Sequence, residues 1–422
     1  MADARSERTI LLLVAAVQFV NLLDVMMVMP LGPDLARGLG IAVSDLGLVG
    51  GSYTAAAALS GVAAALFLDR FDRRAALAVA MVGLVLGTAA GGLATGLPTL
   101  LAARVIAGAF GGPAAAISLS IVADVTPPER RGKAMGFVMG AYSFAAVLGV
   151  PAGLELARRG GFQVPFFAVA GLGLLVAGLA IVLLPSLRGH LASTRDPLDG
   201  AQVPGSALRE LRALVGRPLV ALSYLTTATL MMASFLIIPN ISAYVQGNLG
   251  YPRERLGLLY LAGGALTFVV MRTAGPMLDR FGAFRTSLAG VALLAAVLYA
   301  GFHAYVPGLP VIGVFAAFMT GTTICNISYS TLASKVPLPS ERARFASIQS
   351  AVQHLASALA AILSARMLRE LPDGRLGGME GVAALAITFT LLSSPLFLWI
   401  ERRVAVELAS RARPLEPLAR GR

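Results

Sequence analysis

Charge is what this 422-residue sequence has least of: Asp, Glu, Lys and Arg make up 13% of it, against 57% hydrophobic residues and a mean hydropathy of +0.78. Soluble globular chains carry about a quarter charged residues, and charge this scarce cannot cover the two or three domains that the length would otherwise suggest. The composition excludes a soluble protein and requires lipid as the main solvent. The single cysteine, Cys325, excludes an internal disulfide, and the three histidines, His190, His303 and His354, have no metal-ligand spacing. Of the two lysines, Lys133 follows Gly132 but precedes Ala134, so there is no phosphate loop ending in G-K-[ST], and ATP drive within this chain is excluded. Lys133 and Lys335 both sit at the ends of apolar runs, which excludes a retinal pump with a mid-membrane lysine. No cluster of His, Asp and Glu suggests a membrane enzyme, and no polar ring or filter loop suggests a channel. The formal charge of +12 is dispersed in short clusters between apolar runs, without the basic stripe or interleaved aromatics of a nucleic-acid groove.

Apolar length is what the sequence does have. A helix crossing a bilayer core of about 30 Å needs roughly 20 apolar residues, and about twelve such runs are present. They cover 9–31, 45–68, 75–95, 98–125, 132–157, 162–184, 219–245, 256–278, 286–306, 309–333, 345–367 and 379–400. The first is too long for a signal-peptide core and lacks a small-residue cleavage site, so it is expected to remain as a span. Between the sixth and seventh runs, Pro197, Gly200, Pro204 and Gly205 with several charges read as a solvated linker, with one short amphipathic helix near 207–215. The expected organisation is an N-terminal six-helix bundle over 1–185, a cytoplasmic linker over 186–217, a C-terminal six-helix bundle over 218–400 and a basic tail over 401–422. That is an all-α membrane protein with twelve transmembrane helices in two pseudo-symmetric bundles. Most of the arginines and both lysines fall on the side that carries the two termini, which places both termini in the cytoplasm. Two arginines, Arg104 and Arg272, fall inside spans.

The halves repeat each other. LFLDRFDRR at 66–74 recurs as PMLDRFGAFR at 276–285, aligning Asp69 with Asp279. VTPPERRGKA at 125–134 recurs as VPLPSERARFA at 336–346, aligning Glu129 with Glu341. Both offsets are about one half-length, as parallel transporter repeats require. These segments resemble the major facilitator superfamily and, within it, the bacterial twelve-span drug/proton antiporters. The family loop pattern G-x-x-x-D-[RK]-x-G-[RK]-[RK] is matched at Asp69, Arg70, Arg73 and Arg74, with Ala65 and Asp72 where glycines usually stand. The second copy keeps Gly275, Asp279, Arg280 and Gly282 but lacks the final basic pair. ARVIAGAFGGP places Arg104 and Gly108 in the family's R-x-x-x-G pattern, and LGVPAG is a variant of G-P-x-x-G-G with Gly149, Pro151 and Gly153 in place.

Physically, Asp69 and the arginines beside it can form charge-assisted contacts with neighbouring helix ends and latch the halves in one state; the alternative is that they only fix topology. Gly132, Gly136 and Gly140 repeat every four residues and leave a smooth stripe for a close-packed helix, whether sliding or static. Pro151 lacks an amide hydrogen and should bend its span near the outer end.

A carboxylate deep in a span is a functional candidate by default, and Asp24 is the clear case. Counting back from Gly32 puts it roughly 12 Å inside the outer boundary, and Arg104, counted from Pro98, lies about 9 Å inside the same boundary. The family resemblance implies that an acid on the first span and the motif arginine on the fourth couple to protons: Asp24 as carrier, Arg104 as electrostatic partner. Dryness raises and a nearby guanidinium lowers the proton affinity of a carboxyl group in general, so a change of setting can load and release a proton. The alternative is a static ion pair. His354 is the other titratable group at membrane depth, either a second proton site or a neutral core histidine.

Gln18 and Asn21 extend a polar stripe from Asp24, and Asn240, Tyr244, Asn326 and Tyr329 lie on the seventh and tenth spans. With Met231, Phe235 and Met319 they would line a mainly apolar cavity with polar handles, suited to a small amphipathic molecule; ordinary helix packing is the alternative for each. The expected function is proton-driven export of such a molecule from the bacterial cytoplasm across the inner membrane by a monomer, without cofactor or metal. Its partners are the small-molecule substrate, protons and the lipid bilayer, not nucleic acid. A nutrient symporter, a uniporter or a non-transporting sensor would use the same scaffold.

Overall fold

The computed structural model describes residues 2–67, 71–186, 212–338 and 341–412. Among these, twelve helices are long and apolar enough to cross a bilayer, and they correspond one for one to the predicted runs. Spans 1 to 6 are Glu7–Val28, Val43–Ala64, Arg73–Gly92, Leu97–Val125, Lys133–Gly160 and Gln163–Leu183. Spans 7 to 12 are Pro218–Gly247, Arg253–Leu278, Ala283–His303, Val311–Ala333, Arg344–Met367 and Met379–Glu407. The protein is a multi-pass membrane protein of two six-span halves. The departures from all-helix are small: Arg369–Glu370 pairs antiparallel with Leu376–Gly377 in the loop between spans 11 and 12.

Most of the expected linker, including the start of the amphipathic helix near 207–215, lies outside the described residues. Its last part is docked, with Leu214 buried in the apolar cluster of the C-terminal half. The tail expected from 401 instead continues the last helix, which runs Met379–Ala412. Between Trp399 and Ala412 there is no glycine or proline, and the Ala, Arg and Glu of that stretch favour helix.

Proline lies at two of the breaks within the spans. In span 5 the α-helix gives way at Ala145–Gly149 to a π-helical turn before resuming as Val150–Gly160. Pro151 has no N–H to give the carbonyl four residues back, and the wider turn absorbs that loss. In span 7 the helix Pro218–Phe235 stops, Ile238–Asn240 forms a 3₁₀ turn around Pro239, and Ile241–Gly247 resumes. Only the first break was expected from the sequence.

Small residues let helix backbones meet. A Cβ on Gly108 would collide with the Tyr53 carbonyl oxygen, locking span 4 onto span 2 within one half. Between halves, a Cβ on Gly47 would collide with the Ala361 carbonyl oxygen, and one on Gly51 would lie 3.1 Å from Ile362, so spans 2 and 11 touch through backbone. Gly47→Leu is expected to wedge these spans apart and cost about 1–3 kcal/mol by overpacking, read as a lower melting temperature in detergent; an unchanged melt would mean that the crossing yields freely. The predicted glycine stripe is not such a seam. Beyond its own helix, no atom of the described residues lies within 4 Å of a Cβ built on Gly136, and one built on Gly140 would meet only its own helix. The reason is positional: this part of span 5 lies on the exposed rim, where Phe137 and Met139 are also exposed.

The end of the molecule opposite the termini is fastened across the halves. Between spans 1 and 2 a short helix, Gly32–Leu39, starts with Pro33 in its first turn and ends at Gly40, whose φ of 63° favours glycine. Its Asp34 accepts bonds from Arg253 Nε at 3.0 Å and Nη2 at 2.5 Å, and Arg253 Nη2 also donates to the Leu154 carbonyl at 3.2 Å. The Val43 amide donates to Glu370 Oε2 at 3.0 Å. Arg253 and Asp34 are each only 14% exposed, so solvent screens the pair little.

Candidate functional site: an ion pair buried in four helices

Asp24 and Arg104 meet in the interior of the N-terminal half. Asp24 is fully buried and Arg104 almost so, with Nη1 of Arg104 donating to Asp24 Oδ2 at 3.0 Å and to Oδ1 at 3.2 Å. One nitrogen serves both oxygens instead of the two-nitrogen fork typical of strong Arg–carboxylate pairs. Arg104 Nε is buried without an acceptor among the described residues. Its guanidinium instead lies over the Tyr53 ring, 4.5 Å from the centroid, where the ring face attracts a cation.

Two further spans close the site. Thr88 of span 3 places its hydroxyl 2.8 Å from Asp24 Oδ1 and also 2.8 Å from the Leu84 carbonyl. Tyr53 of span 2 donates to Asn21 Oδ1 at 2.9 Å, and Asn21 Nδ2 donates to the Gly111 carbonyl at 2.9 Å. Gly111 is required there, since a Cβ would collide with the Tyr53 hydroxyl. Breaking a buried pair by removing one partner costs about 3–5 kcal/mol; here the Thr88 hydroxyl supports the carboxylate and the Tyr53 ring face supports the guanidinium. Sequence reasoning did not single out Tyr53 or Thr88. A polar residue in an otherwise apolar span, at the depth of Asp24, was the available signal.

The other sequence candidates are dispersed. Gln18 is buried one turn from Asn21. Asn240 Nδ2 donates to Ser364 Oγ at 3.0 Å, linking spans 7 and 11, while Asn240 Oδ1 is buried without a donor among the described residues. Tyr244 donates to the Gly301 carbonyl at 3.1 Å and packs on Phe302. The Tyr329 hydroxyl donates to the Ser223 carbonyl at 2.7 Å, accepts from Thr227 at 2.5 Å, and its ring meets Phe397. Both tyrosines are thus held inside the C-terminal half. Asn326 bonds to its own helix at Thr322, and Met231, Phe235 and Met319 are half-buried. His354 is half-buried and makes no hydrogen bond or ion pair among the described residues.

Of the loop motifs, Asp69 and Arg70 lie outside the described residues, as does the Asp279 side chain. Arg73 reaches Asp124 at 3.4 Å, joining spans 3 and 4 of one half, and Asp72 caps span 3 by accepting from the Arg74 amide at 3.0 Å. In the second copy, Arg280 lies over the Phe281 ring, and Glu401 accepts from the Ala283 and Phe284 amides in place of the missing basic pair. The fifth-span motif has a packing role. Gly149 lets span 5 approach Leu23, since a Cβ there would lie 2.5 Å from its methyl group, and Gly149 and Gly153 line an apolar crevice of about 260 Å³ with Leu23, Met27 and Pro165.

Twelve spans in two like halves, with an intramembrane ion pair at the heart of one, define the architecture of a membrane transporter. The Major Facilitator Superfamily model matches residues 14–361, and the chain belongs to that superfamily. It is 26% identical over 262 residues to a chloramphenicol resistance protein of Streptomyces lividans, covering 62% of this chain and 64% of that one. It is also 26% identical over 288 residues to the purine ribonucleoside efflux pump NepI of Shigella sonnei, covering 67% of each. The fold is shared with a D-xylose-proton symporter at TM-score 0.74 and 17% identity, over 91% of this chain and 96% of the other. The matches span 53% to 64% of the length of curated relatives such as the Streptomyces protein and the Escherichia coli inner membrane transport protein YdhP. The family and fold are those of transporters, not enzymes.

Proposed function

We propose that this protein is a secondary transporter exporting a small amphipathic molecule in exchange for protons, with Asp24 as the proton carrier and Arg104 as its partner. The observation that carries this is a fully buried carboxyl group whose neighbours satisfy it in either protonation state. Ionised, Asp24 accepts from Arg104 and Thr88. Protonated, it donates to Thr88 Oγ1, whose own hydrogen turns to the Leu84 carbonyl at 2.8 Å. Protonation then loosens the link between spans 1 and 4 without leaving an orphaned hydroxyl, and span 4 can shift against span 1. No cofactor is needed: the proton gradient supplies the work.

The export direction draws on the two relatives named for resistance and efflux. The fastened end opposite the termini, taken with the bias of arginine and lysine towards the terminal side, supports reading this as the state that loads cargo from the cytoplasm. The half-buried Met231, Phe235 and Met319, with Gln18 and Asn326 as polar handles, are the proposed contacts for that cargo, and His354 is a second proton site. The shared fold with a proton symporter favours import as the second reading. Proteoliposome flux assays with chloramphenicol and a purine ribonucleoside as probes, with the pH gradient set in either direction, separate the two. Protons moving against the probe support exchange; protons required on the same side as the probe support import and overturn it.

Thr88 offers a finer check. Thr88→Val keeps the shape but removes a hydrogen bond to a charged group, worth about 1.5–3 kcal/mol, and is expected to slow pH-driven flux at least tenfold while Thr88→Ser retains it. Equal flux in all three proteins would remove Thr88 from the proton step.

A further inference from the structure

Arg272 is the intramembrane charge that the proton site does not use. It lies six residues before Leu278, the end of span 8, and so roughly 9 Å inside that end at 1.5 Å per residue. Its side chain is exposed, and among the described residues it has no carboxylate partner; its described contact is the Phe268 ring, 5.1 Å away. Its direction follows from its neighbours. Gly263 packs on Phe315 of span 10, and Ala274 and Leu278 are buried on that same face. A Cβ built on Gly264 would lie 3.2 Å from Val147 of span 5, and Met271 Sδ lies 3.9 Å from Ser143 Oγ, so these residues face the other half. One further step of 100° round the helix carries Arg272 past the span 5 contact onto the rim of the seam, in line with Phe268 one turn away. Phe268, Val269 and Met271 are exposed around it, an apolar surface that lipid covers.

A guanidinium with no carboxylate partner among the described residues is expensive to hold at this depth, and one aromatic face returns only part of the cost. A planar cation beside exposed apolar side chains calls for an anion that carries hydrocarbon. We propose that Arg272 and Phe268 form a binding site for an acidic phospholipid at the seam between spans 5 and 8. The lipid phosphate accepts from the guanidinium, and an acyl chain covers Phe268, Val269 and Met271. A free inorganic anion would satisfy the charge but leave the apolar rim uncovered.

The test is native mass spectrometry of the full chain titrated with phosphatidylglycerol, run on wild type, Arg272→Gln, Arg272→Lys and Phe268→Leu. Arg272→Gln is expected to lose one tightly held lipid, with affinity at least about fivefold weaker, the effect of one basic residue at a membrane surface. Arg272→Lys should keep most of the binding, and Phe268→Leu should weaken it less than Arg272→Gln does. Inorganic phosphate should not displace the lipid. Unchanged lipid stoichiometry and affinity in Arg272→Gln would overturn the site, and displacement by inorganic phosphate would assign it to a free anion instead. If Arg272→Gln does not insert, the Arg272→Lys and Phe268→Leu comparison decides: equal binding to wild type in Phe268→Leu overturns the proposal.

Discussion

Asp24→Asn is expected to abolish flux driven by a pH gradient while the protein still inserts into the membrane. The substitution removes the exchangeable proton but keeps the volume and a polar contact to Thr88. It also strands Arg104, whose Nε already has no acceptor among the described residues, and leaving a buried cation unpaired costs about 3–5 kcal/mol. Lost flux alone could therefore reflect lost stability. A double variant, Asp24→Asn with Arg104→Gln, separates the two effects. Removing both charges should return most of the stability, because a neutral pair of similar size often matches a buried ion pair. It should not return the flux. Thermal melts of wild type, both single variants and the double variant give the coupling energy, and flux under an imposed pH gradient gives the function. Undiminished pH-driven flux in either Asn variant would end the role assigned to Asp24.

Arg253→Ala is expected to unfasten the end opposite the termini. Arg253 holds Asp34 through two nitrogens and the Leu154 carbonyl through one, so it ties the C-terminal half to two elements of the N-terminal half. Charge-assisted bonds at a mostly buried site are worth about 1.5–3 kcal/mol, which multiplies the population opened at this end roughly ten- to a hundredfold. Spin labels at Arg37 and Gln246 would report this as a new, longer distance in the variant. Reversing the pair with Asp34→Arg and Arg253→Asp should recover the short distance. If removing Arg253 leaves the distance distribution as it was, the bond is not what keeps this end shut.

Much of the architecture was legible because lipid imposes one simple rule. A span needs an unbroken apolar run, so twelve runs gave twelve helices, and counting 1.5 Å per residue placed Asp24 and Arg104 at one depth. Their partners were not legible for the same reason: Tyr53 and Thr88 look like ordinary polar residues in apolar helices until the fold brings spans 2 and 3 against them. The surroundings of the cavity candidates were not legible, because helical spacing says which side of a helix a residue occupies but not what stands opposite. Tyr329 turned out to face Phe397 and Ser223 inside its own half. Asp34 sits between spans 1 and 2 and Arg253 at the start of span 8, 219 residues apart, and no local pattern pairs them. Pro239 was visible but lay inside an apolar run whose length alone was read.

The π-helical turn at Ala145–Gly149 works like an extra tooth in a gear. Each added residue advances everything after it by about 100°, so it determines which neighbours the last stretch of span 5 meets. With it, Gly149 and Gly153 turn towards Leu23 and Met27, and the Leu154 carbonyl comes within reach of Arg253. Take one residue out, and the straightened rod would swing those glycines off span 1 and carry the carbonyl away from its cation. One surplus residue thus sets the angular phase on which both the fit against the first helix and the clasp at the far end depend.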